Sequence, residues 1–541
     1  MSSLQNPSVV LTGVSFAWPD GTPVFHGLDA AFGCGRTGLI GANGTGKTTL
    51  FRLIRGSLTP TAGTIGCCGR VGYLPQHLAL RTADTVADLL GVRERLDALR
   101  AIEAGDGDPR HFDVLADEWD VEARARTVLD SVGLTSVGLD RVVGTLSGGE
   151  TVLAALAALA GLRLAGDEVV LLDEPTNNLD RPARHRLYDT ITTWRGALIV
   201  VSHDVTLLDL MDETAELRAG SLTVFGGTYS AYREYLAQEQ AAAEQALRTA
   251  EQKLRTEERQ RIEAQTKLAR RQRYARTDFE NKRKPRAVMN QRKTEAQVSA
   301  GKLRGELDEK VTTAREEVQE QAGRVRRDAR IRIDLPDPKV PAGRRLAELR
   351  DGRGTVIEVR GPERVALTGR NGIGKTRLLE TLTDPGAAGS TVHAIRHTDR
   401  IGYLPQRLDR LDDDADILDT VRAAAPRTPP GEIRAKLARF LFRGDTVHRR
   451  VGDLSGGERF RVALAQLLLA DPPNQLVVLD EPTNNLDLGS VDELVDALDA
   501  YHGGLIVVSH DDAFLARLNI QTWLSLDSDG LREDRPSRGG P

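Results

Sequence analysis

Short runs of consecutive apolar residues recur in the two halves of the chain. The clearest runs are residues 169–172, 197–201, 476–479 and 505–508. Positions that are apolar without alternation are expected of strands buried on both faces, as in a parallel sheet. Residues 36–40 and 364–368 also have the pattern of short buried strands, and each runs into a glycine-rich loop followed by a helix. Strands that alternate with helices predict an α/β sheet in each half.

Residues 231–330 separate the two halves and are rich in Ala, Glu, Gln, Lys, Leu and Arg, which favour helices. Two narrow apolar seams follow coiled-coil spacing. The seam residues are Ala243, Leu247, Ala250 and Leu254 in the first arm, and Leu307, Val311, Ala314, Val318 and Val325 in the second. Because Pro285 is disfavoured inside a helix, we expect a break near Lys284-Pro285 and an antiparallel helical hairpin.

An ordered set of five motifs occurs twice. The paired segments are residues 41–48 and 369–376, 72–76 and 402–406, 146–150 and 454–458, 171–180 and 478–487, and 199–204 and 506–511. The offset between the copies falls from 330 residues at the glutamines to 308 at the serines, so the first copy carries 22 additional residues between Gln76 and Ser147. A repeat this regular indicates duplicated modules. We expect three domains, residues 1–230, 231–330 and 331–541.

Each copy of the first motif has the form Gly-x-x-x-x-Gly-Lys-Thr, a phosphate loop. Its backbone N–H groups and the N-terminus of the next helix can surround nucleotide phosphates. We expect the lysine to reach the outer phosphates and the threonine hydroxyl to hold Mg²⁺, so ATP and Mg²⁺ are the expected substrate and cofactor. The predicted ATP-binding residues are Gly41, Asn43, Gly44, Gly46, Lys47, Thr48 and Thr49, and Gly369, Asn371, Gly372, Gly374, Lys375 and Thr376.

Two acidic pairs each follow an apolar strand, at the sheet edge where α/β proteins bind ligands. They are Asp173-Glu174 and Asp480-Glu481. We expect each aspartate to complete the magnesium shell and each glutamate to orient or deprotonate the attacking water. The histidines that end the next strand, His203 and His510, are expected to contact the γ-phosphate. A solvated polar turn and a structural histidine are the alternatives, and recurrence of the whole set favours the catalytic interpretation.

The order of phosphate loop, glutamine loop, Leu-Ser-Gly-Gly-Glu, Asp-Glu pair and histidine resembles the ATP-binding cassette (ABC) superfamily. Two cassettes joined by a charged helical linker resemble its ABC-F family, over nearly the whole chain. The resemblance implies a head-to-tail sandwich within one chain, a monomer, in which each phosphate loop faces the signature motif of the other module. It also implies catalytic and magnesium-binding roles for Gln76 and Gln406. The implied signature residues are Ser455, Gly456 and Gly457 for the Lys47 site, and Ser147, Gly148 and Gly149 for the Lys375 site.

The sequence departs from the family pattern at several positions. Asn178 and Asn485 replace the histidine that usually follows Thr-Asn, and Arg377 replaces the usual second Ser or Thr of the phosphate loop. The second signature, which runs into Arg459, is nearer the family pattern than the first, which runs into Thr151. We therefore expect the two sites to differ.

An aromatic residue precedes only one of the phosphate loops. Trp18 lies 29 residues before Lys47, a position suited to stacking on adenine, with core packing as the alternative. The region before Lys375 offers Arg344 and Arg345 as its nearest planar groups. We expect the Lys47 site to bind ATP more tightly.

The formal net charge of the chain is −5, but residues 267–304 contain thirteen Lys or Arg against three acids. The expected RNA-binding residues at the hairpin tip are Lys282, Arg283, Lys284, Arg286 and Arg292, interleaved with Tyr274, Phe279 and Met289. Basic side chains contact phosphates and aromatic rings stack on bases, whereas a solvated charged helix is the alternative. The ABC-F resemblance implies the ribosome as partner, with contacts to ribosomal RNA and the P-site tRNA region, in translation or in protection against antibiotics.

Other features of the sequence bear on the cellular compartment and on the class of protein. Three cysteines without a zinc or disulfide pattern fit a reducing cytoplasm. The start has no signal-peptide pattern, and the longest apolar run, about residues 152–162, is too short to cross a bilayer. Two other classes of protein stay open. One is the energy module of a transporter with separate membrane subunits, in which the basic linker would have no role. The other is a DNA-repair ATPase, although the linker lacks the Cys-x-x-Cys of a zinc hook.

Overall fold

The structure is a computed structural model. It describes residues 8–75, 84–146, 150, 153–154, 157–158, 168–177, 179–280, 286–325, 335–383, 392–406, 408, 411–484 and 486–534, with only the backbone at residues 272, 275–280 and 286–297. The chain divides into two compact units: Ala231–Ala329 form one, and the residues on either side of this segment together form the other. Among the described helices, none has the length and apolar character needed to cross a membrane.

The first module of the larger unit is an α/β structure with two sheets. Its strands are β1 (Val9–Ala17), β2 (Pro23–Phe32), β3 (Arg36–Ile40), β4 (Ala62–Cys67), β5 (Val71–Leu74), β6 (Val169–Asp173), β7 (Ala197–Val201), β8 (Glu213–Arg218) and β9 (Ser221–Phe225). Its helices are α1 (Lys47–Ile54), α2 (Val86–Leu89), α3 (Arg93–Glu103), α4 (Pro109–Leu115), α5 (Val121–Ser131), α6 (Arg181–Thr192) and α7 (Val205–Leu208). A three-stranded antiparallel sheet has the order β2-β1-β4, and a six-stranded sheet has the order β5-β6-β7-β3-β8-β9.

The smaller unit is the predicted antiparallel hairpin. It consists of α8 (Tyr229–Glu280), which begins just before the unit, and α9 (Arg286–Arg324). Ion pairs join Lys253 to Glu317 at 2.7 Å, Glu258 to Arg315 at 2.8 Å and Arg261 to Asp308 at 3.6 Å. The residue numbers of the ion-pair partners rise along α8 while they fall along α9, so the two helices run antiparallel.

The two predicted seams hold the hairpin together. Ala250, Val311 and Ala314 are buried, and the other predicted seam residues are half-buried. Ion pairs on an exposed hairpin contribute little to stability, so the apolar seam supplies most of the packing energy. Helix α8 has 52 residues and α9 has 39.

The second module repeats the first. Its strands are β10 (Arg345–Arg350), β11 (Val356–Arg360), β12 (Arg364–Gly369), β13 (His393–Arg396), β14 (Ile401–Leu404), β15 (Leu476–Asp480), β16 (Gly504–Val508), β17 (Thr522–Asp527) and β18 (Gly530–Asp534). Its helices are α10 (Lys375–Thr383), α11 (Ile417–Ala424), α12 (Pro430–Arg439), α13 (Gly456–Leu468), α14 (Leu488–Asp499) and α15 (Asp512–Arg517). The sheet orders are β11-β10-β13 and β14-β15-β16-β12-β17-β18, the same topology as in the first module.

The central strands position the chemistry. Every residue of β6, β7, β15 and β16 is buried, which confirms the prediction from the apolar runs. Strands β6, β7 and β3 are parallel neighbours, so their carboxyl ends meet at one sheet edge. The acidic pair, the histidine and the phosphate loop follow these three ends and are thereby brought together. Strands β15, β16 and β12 do the same in the second module.

Candidate functional site

The phosphate loops are shaped by glycines that pass close to a neighbouring strand. A Cβ added at Gly41 would lie 2.5 Å from the carbonyl oxygen of Leu217, and one at Gly369 would lie 2.3 Å from that of Leu526. Any side chain there would displace the loop from the sheet. Each loop then enters a helix at its lysine, so the helix N-terminus faces the loop and favours an anion.

The lysines of the two loops have matching partners. Nζ of Lys47 donates to the carbonyl oxygens of Gly41 at 2.6 Å and Ala42 at 3.1 Å. Lys375 makes the corresponding bonds within its own loop, also at 2.6 and 3.1 Å. Both lysines are buried, and burial lowers the pKa of each. A buried ammonium that lies among the carbonyls of the phosphate loop is suited to binding a phosphate.

Oxygen donors that suit Mg²⁺ meet beside each loop. Burial raises the pKa of Asp173 and of Asp480, and each of these carboxyls has its pKa lowered in part by the nearby hydroxyl of Thr48 or Thr376. Mg²⁺ commonly takes one or two protein oxygens and keeps phosphate and water oxygens as its other ligands. The residues therefore fit Mg²⁺ bound together with a nucleotide.

Sequence reasoning missed the partner that orients each aspartate. The Tyr73 hydroxyl donates to Oδ2 of Asp173 at 3.2 Å, and that of Tyr403 donates to Asp480 at 3.4 Å. Both tyrosines lie in the repeated Gly-Tyr-Leu-Pro-Gln motif, which was the available signal.

The two glutamates have an unusual backbone. Glu174 has φ of 50° and Glu481 has φ of 47°, a left-handed conformation that costs a non-glycine residue about 1–3 kcal/mol. Their N–H groups donate to the carbonyls of Val201 at 2.8 Å and Val508 at 2.9 Å, which holds the turn in place. Such strain is often found at functional sites.

Each glutamate presents an unsatisfied acceptor. Oε1 of Glu174 and Oε1 of Glu481 are buried without a hydrogen-bond partner among the described residues. Burial raises the pKa of Glu481 to about 7 and holds that of Glu174 well above its usual range. A buried acceptor left without a partner requires an explanation, and a substrate water would supply the missing donor.

The two histidines differ in their surroundings. Nε2 of His203 lies 3.1 Å from Oε1 of Glu174, without the alignment of a hydrogen bond. Nε2 of His510 lies 3.1 Å from Nζ of Lys375 and 3.4 Å from Oε1 of Glu481. Burial lowers the pKa of both rings to about 3, so both are neutral at physiological pH.

The two modules meet head to tail at these loops. Oδ2 of Asp487 in the second module accepts a 2.8 Å hydrogen bond from the backbone N–H of Asn43 in the first phosphate loop. Asp180, its counterpart, is close enough to Lys375 to raise the pKa of that lysine against the larger effect of burial. Sequence reasoning assigned no role to these aspartates, although both end the repeated Asp-Glu motif.

A cavity of about 310 Å³ adjoins Lys47, and the predicted residues Trp18, Thr48, Asp173, Glu174 and His203 line it. The described signature residues Ser455, Gly456 and Gly457 are not among the residues that line it. Ser455 caps α13 through a reciprocal bond pair with Glu458, so the signature forms a preorganised helix N-terminus.

A cavity of about 350 Å³ adjoins Lys375. Gln406, Asp480, Glu481 and His510 line it, together with Arg184 from the first module, which sequence reasoning missed. Arg344 and Arg345 do not line this cavity, so neither planar group takes the place that Trp18 has in the other site.

Several predicted residues cannot be placed. Only the backbone of Arg286 and Arg292 is described. The predicted residues that lie outside the described part of the chain are Gln76, Ser147, Gly148, Gly149, Asn178, Asn485, Lys282, Arg283 and Lys284. Their predicted roles stay predictions.

The ABC transporter family model matches residues 31–177 and 354–484. The chain is 32% identical over 516 residues to the tylosin resistance ATP-binding protein TlrC of Streptomyces fradiae, covering 89% of this chain and 90% of the relative. It is 29% identical over 514 residues to the ATP-binding protein Uup of Escherichia coli (strain K12), covering 90% of this chain and 75% of the relative.

Two solved structures have a similar fold. RNase-L Inhibitor aligns with a TM-score of 0.55 at 17% identity, over 98% of this chain and 90% of that chain. A model of ribosome-bound archaeal Pelota and ABCE1 aligns with a TM-score of 0.53 at 18% identity, over 96% of this chain and 78% of that chain. At such identities the similarity concerns the fold alone.

Proposed function

The chain belongs to the ABC-F family of ATP-binding cassette ATPases, and we propose that it couples ATP hydrolysis to action on the ribosome through its basic hairpin. One observation carries the ribosomal part of this proposal. The described basic residues of the block at 267–304 point outward into solvent: Lys267, Arg270, Arg271, Arg273, Lys302 and Arg304 are all exposed. Tyr274, among them on α8, is 74% exposed.

An exposed basic block with an aromatic ring matches the chemistry of RNA. Each Lys or Arg that neutralises a phosphate releases counterions, and an exposed ring can stack on an unpaired base. By sequence this block contains thirteen Lys or Arg against three acids, whereas exposed Arg248 and Arg259 nearer the start of α8 pair with Glu244 and Glu263 on the same helix. A local excess of positive charge is the electrostatic pattern expected of a surface that binds phosphates.

We assign the hydrolytic steps to the residues of each site. The phosphate loop and its lysine bind the phosphates, while Thr48 with Asp173, or Thr376 with Asp480, would hold Mg²⁺. When bound, Mg²⁺ neutralises phosphate charge. The free carboxylate oxygen of Glu174 or Glu481 orients the attacking water and accepts its proton. Closing the two modules would bring each signature onto the opposite nucleotide.

The relatives suggest the biological setting. The name of TlrC records tylosin resistance, which supports protection against an antibiotic as one form of the ribosomal role. One structural neighbour is described as ribosome-bound, so the ribosome is the first assembly to test. Such a role places the protein in the cytoplasm, and both ATP sites form within one chain, so a monomer suffices.

Co-sedimentation with ribosomes in the presence of a non-hydrolysable ATP analogue tests the proposal. We expect binding with the analogue and weaker binding with ADP, because the analogue favours the closed modules. An energy module for a transporter or a DNA-repair ATPase would stay in the supernatant in both cases. That result would exclude the ribosomal function and leave the ATPase assignment intact.

A further inference from the structure

Arg184 is a buried side chain of the first module that reaches the ATP site of the second. It lies near the start of α6, four residues after the Asp180 cap, and is only 8% exposed. Its Nε donates to the carbonyl of Leu179 at 3.2 Å. Its Nη1 lies 3.3 Å from the carbonyl oxygen of His510, and the residue lines the Lys375 cavity. The wall of this site is therefore completed by the other module.

The same guanidinium also reaches the histidine loop of its own module. Nη1 of Arg184 lies 3.4 Å from Oδ2 of Asp204, the residue after His203. Asp204 is itself held by the Tyr188 hydroxyl at 2.6 Å and by the backbone N–H of Leu207 at 3.1 Å. One buried arginine thus bridges the histidine loops of both ATP sites.

The repeat offers no matching arginine in the opposite direction. The repeat places Val491 at the position that corresponds to Arg184, and Val495 at the position of Tyr188. Both valines are buried in the apolar core of the second module. Neither can donate a hydrogen bond, so the corresponding positions offer no side chain that could hold the loop of His203 from the second module.

We propose that Arg184 is a positioning residue for the Lys375 site, contributed in trans, which sets the His510 loop for recognition of the γ-phosphate. The hydrogen bond from Arg184 to the His510 carbonyl has a charged donor, and such charge-assisted bonds are stronger than bonds between neutral groups. His510 lies beside Lys375 and is placed to sense the outermost phosphate. The Lys375 site therefore distinguishes ATP from ADP only with the help of the first module, whereas the Lys47 site does not need this residue.

The test measures the affinity of each site separately in the full-length protein. A Lys47→Ala background leaves the Lys375 site to bind nucleotide, and a Lys375→Ala background leaves the Lys47 site. In the first background, Arg184→Gln should weaken binding of a non-hydrolysable ATP analogue on the order of tenfold, as expected for one lost charge-assisted hydrogen bond. ADP affinity in that background should stay within about twofold. Both affinities in the second background should do the same, because Tyr188 and the Leu207 N–H still hold Asp204 of the His203 loop.

Arg186→Gln is the matched control, because Arg186 lies on the exposed face of the same helix. It should leave all four affinities unchanged. Arg184→Lys keeps the charge but cannot donate to all three oxygens, so it should give a smaller loss at the same site; it replaces the glutamine variant if that variant fails to fold. Three outcomes for Arg184→Gln would overturn the proposal. The variant could lose as much affinity for ADP as for the ATP analogue, lose equal affinity in both backgrounds, or lose no affinity at all.

Discussion

Asp487 of the second module holds the phosphate loop of the first by accepting the backbone N–H of Asn43 at 2.8 Å. The same carboxylate caps α14 by accepting the N–H of Ser490 at 2.8 Å. Two oxygens of one side chain thus serve different structures: one stabilises a helix and the other joins the modules at the Lys47 site.

The two tasks of Asp487 can be separated by mutation. Asp487→Ser keeps a capping hydroxyl on a shorter side chain that cannot also reach Asn43. We expect unchanged thermal stability and weaker ATP binding at the Lys47 site, measured in the Lys375→Ala background. Asp487→Ala should in addition lose about 1 kcal/mol of stability through the missing cap. If the serine variant binds ATP like the wild type, the contact with Asn43 has no role in the site.

Changing Glu174 and Glu481 together to Gln should preserve ATP binding and lower hydrolysis by roughly 10²–10⁴-fold, because an amide cannot accept the proton of the attacking water. The protein should then remain closed and inhibit translation. Phosphate release and nucleotide affinity are the measurements, and each single variant serves as the control for the other site. Turnover at the wild-type rate in the double variant would remove the assigned role.

The two sites should bind ATP with different affinity, because Trp18 lines the Lys47 cavity and no described Trp, Tyr or Phe lines the Lys375 cavity. Trp18→Ala should lower affinity at the Lys47 site about fivefold, the effect of losing roughly 1 kcal/mol of base stacking. It should leave the Lys375 site unchanged. Affinities measured in the Lys375→Ala and Lys47→Ala backgrounds provide the comparison. Equal affinities in those two backgrounds before the Trp18 change would contradict the asymmetry.

The apolar residues near the hairpin tip are expected to act after docking. Phe279→Ala or Met289→Ala should leave ribosome affinity largely unchanged, because neither carries charge that phosphates attract. The effect of the protein on the peptidyl-transferase region, measured as puromycin reactivity of bound ribosomes, should weaken. Loss of ribosome affinity in either variant would show that these side chains serve docking instead.

The elements that were predictable from sequence are those set by local pattern. The apolar runs at residues 169–172 and 476–479 form buried strands, and the seam around Ala250 and Val311 packs the hairpin, because periodicity alone determines which face is buried. The phosphate loop and acidic pair of each module come together because parallel strands end at one edge.

Contacts between the modules were not predictable in the same way. The bond between Asn43 and Asp487 joins residues 444 positions apart, and it depends on how two folded surfaces dock. Nothing in the local sequence of Arg184 shows that this side chain is buried against His510. The expected placement of Ser455 at the Lys47 site came from family resemblance, and Ser455 does not line that cavity.

The most direct test of the ribosomal role is the salt dependence of ribosome binding. One variant changes Lys267, Arg270 and Arg271 together to Gln, which removes three exposed charges from the basic block. The control variant changes Arg248, Arg255 and Arg259 to Gln, which removes three charges that are also exposed on α8. Binding is measured across a salt series with a non-hydrolysable ATP analogue.

The account predicts that the first variant binds ribosomes more weakly, with a slope of log affinity against log salt shallower by up to about 2–3, since each lost phosphate contact contributes about 0.7–0.9. The control variant should bind with the affinity and slope of the wild type, and basal ATP hydrolysis should be equal in all three proteins. Unchanged affinity and slope in the first variant would show that the basic block is only a solvated surface and would contradict the account.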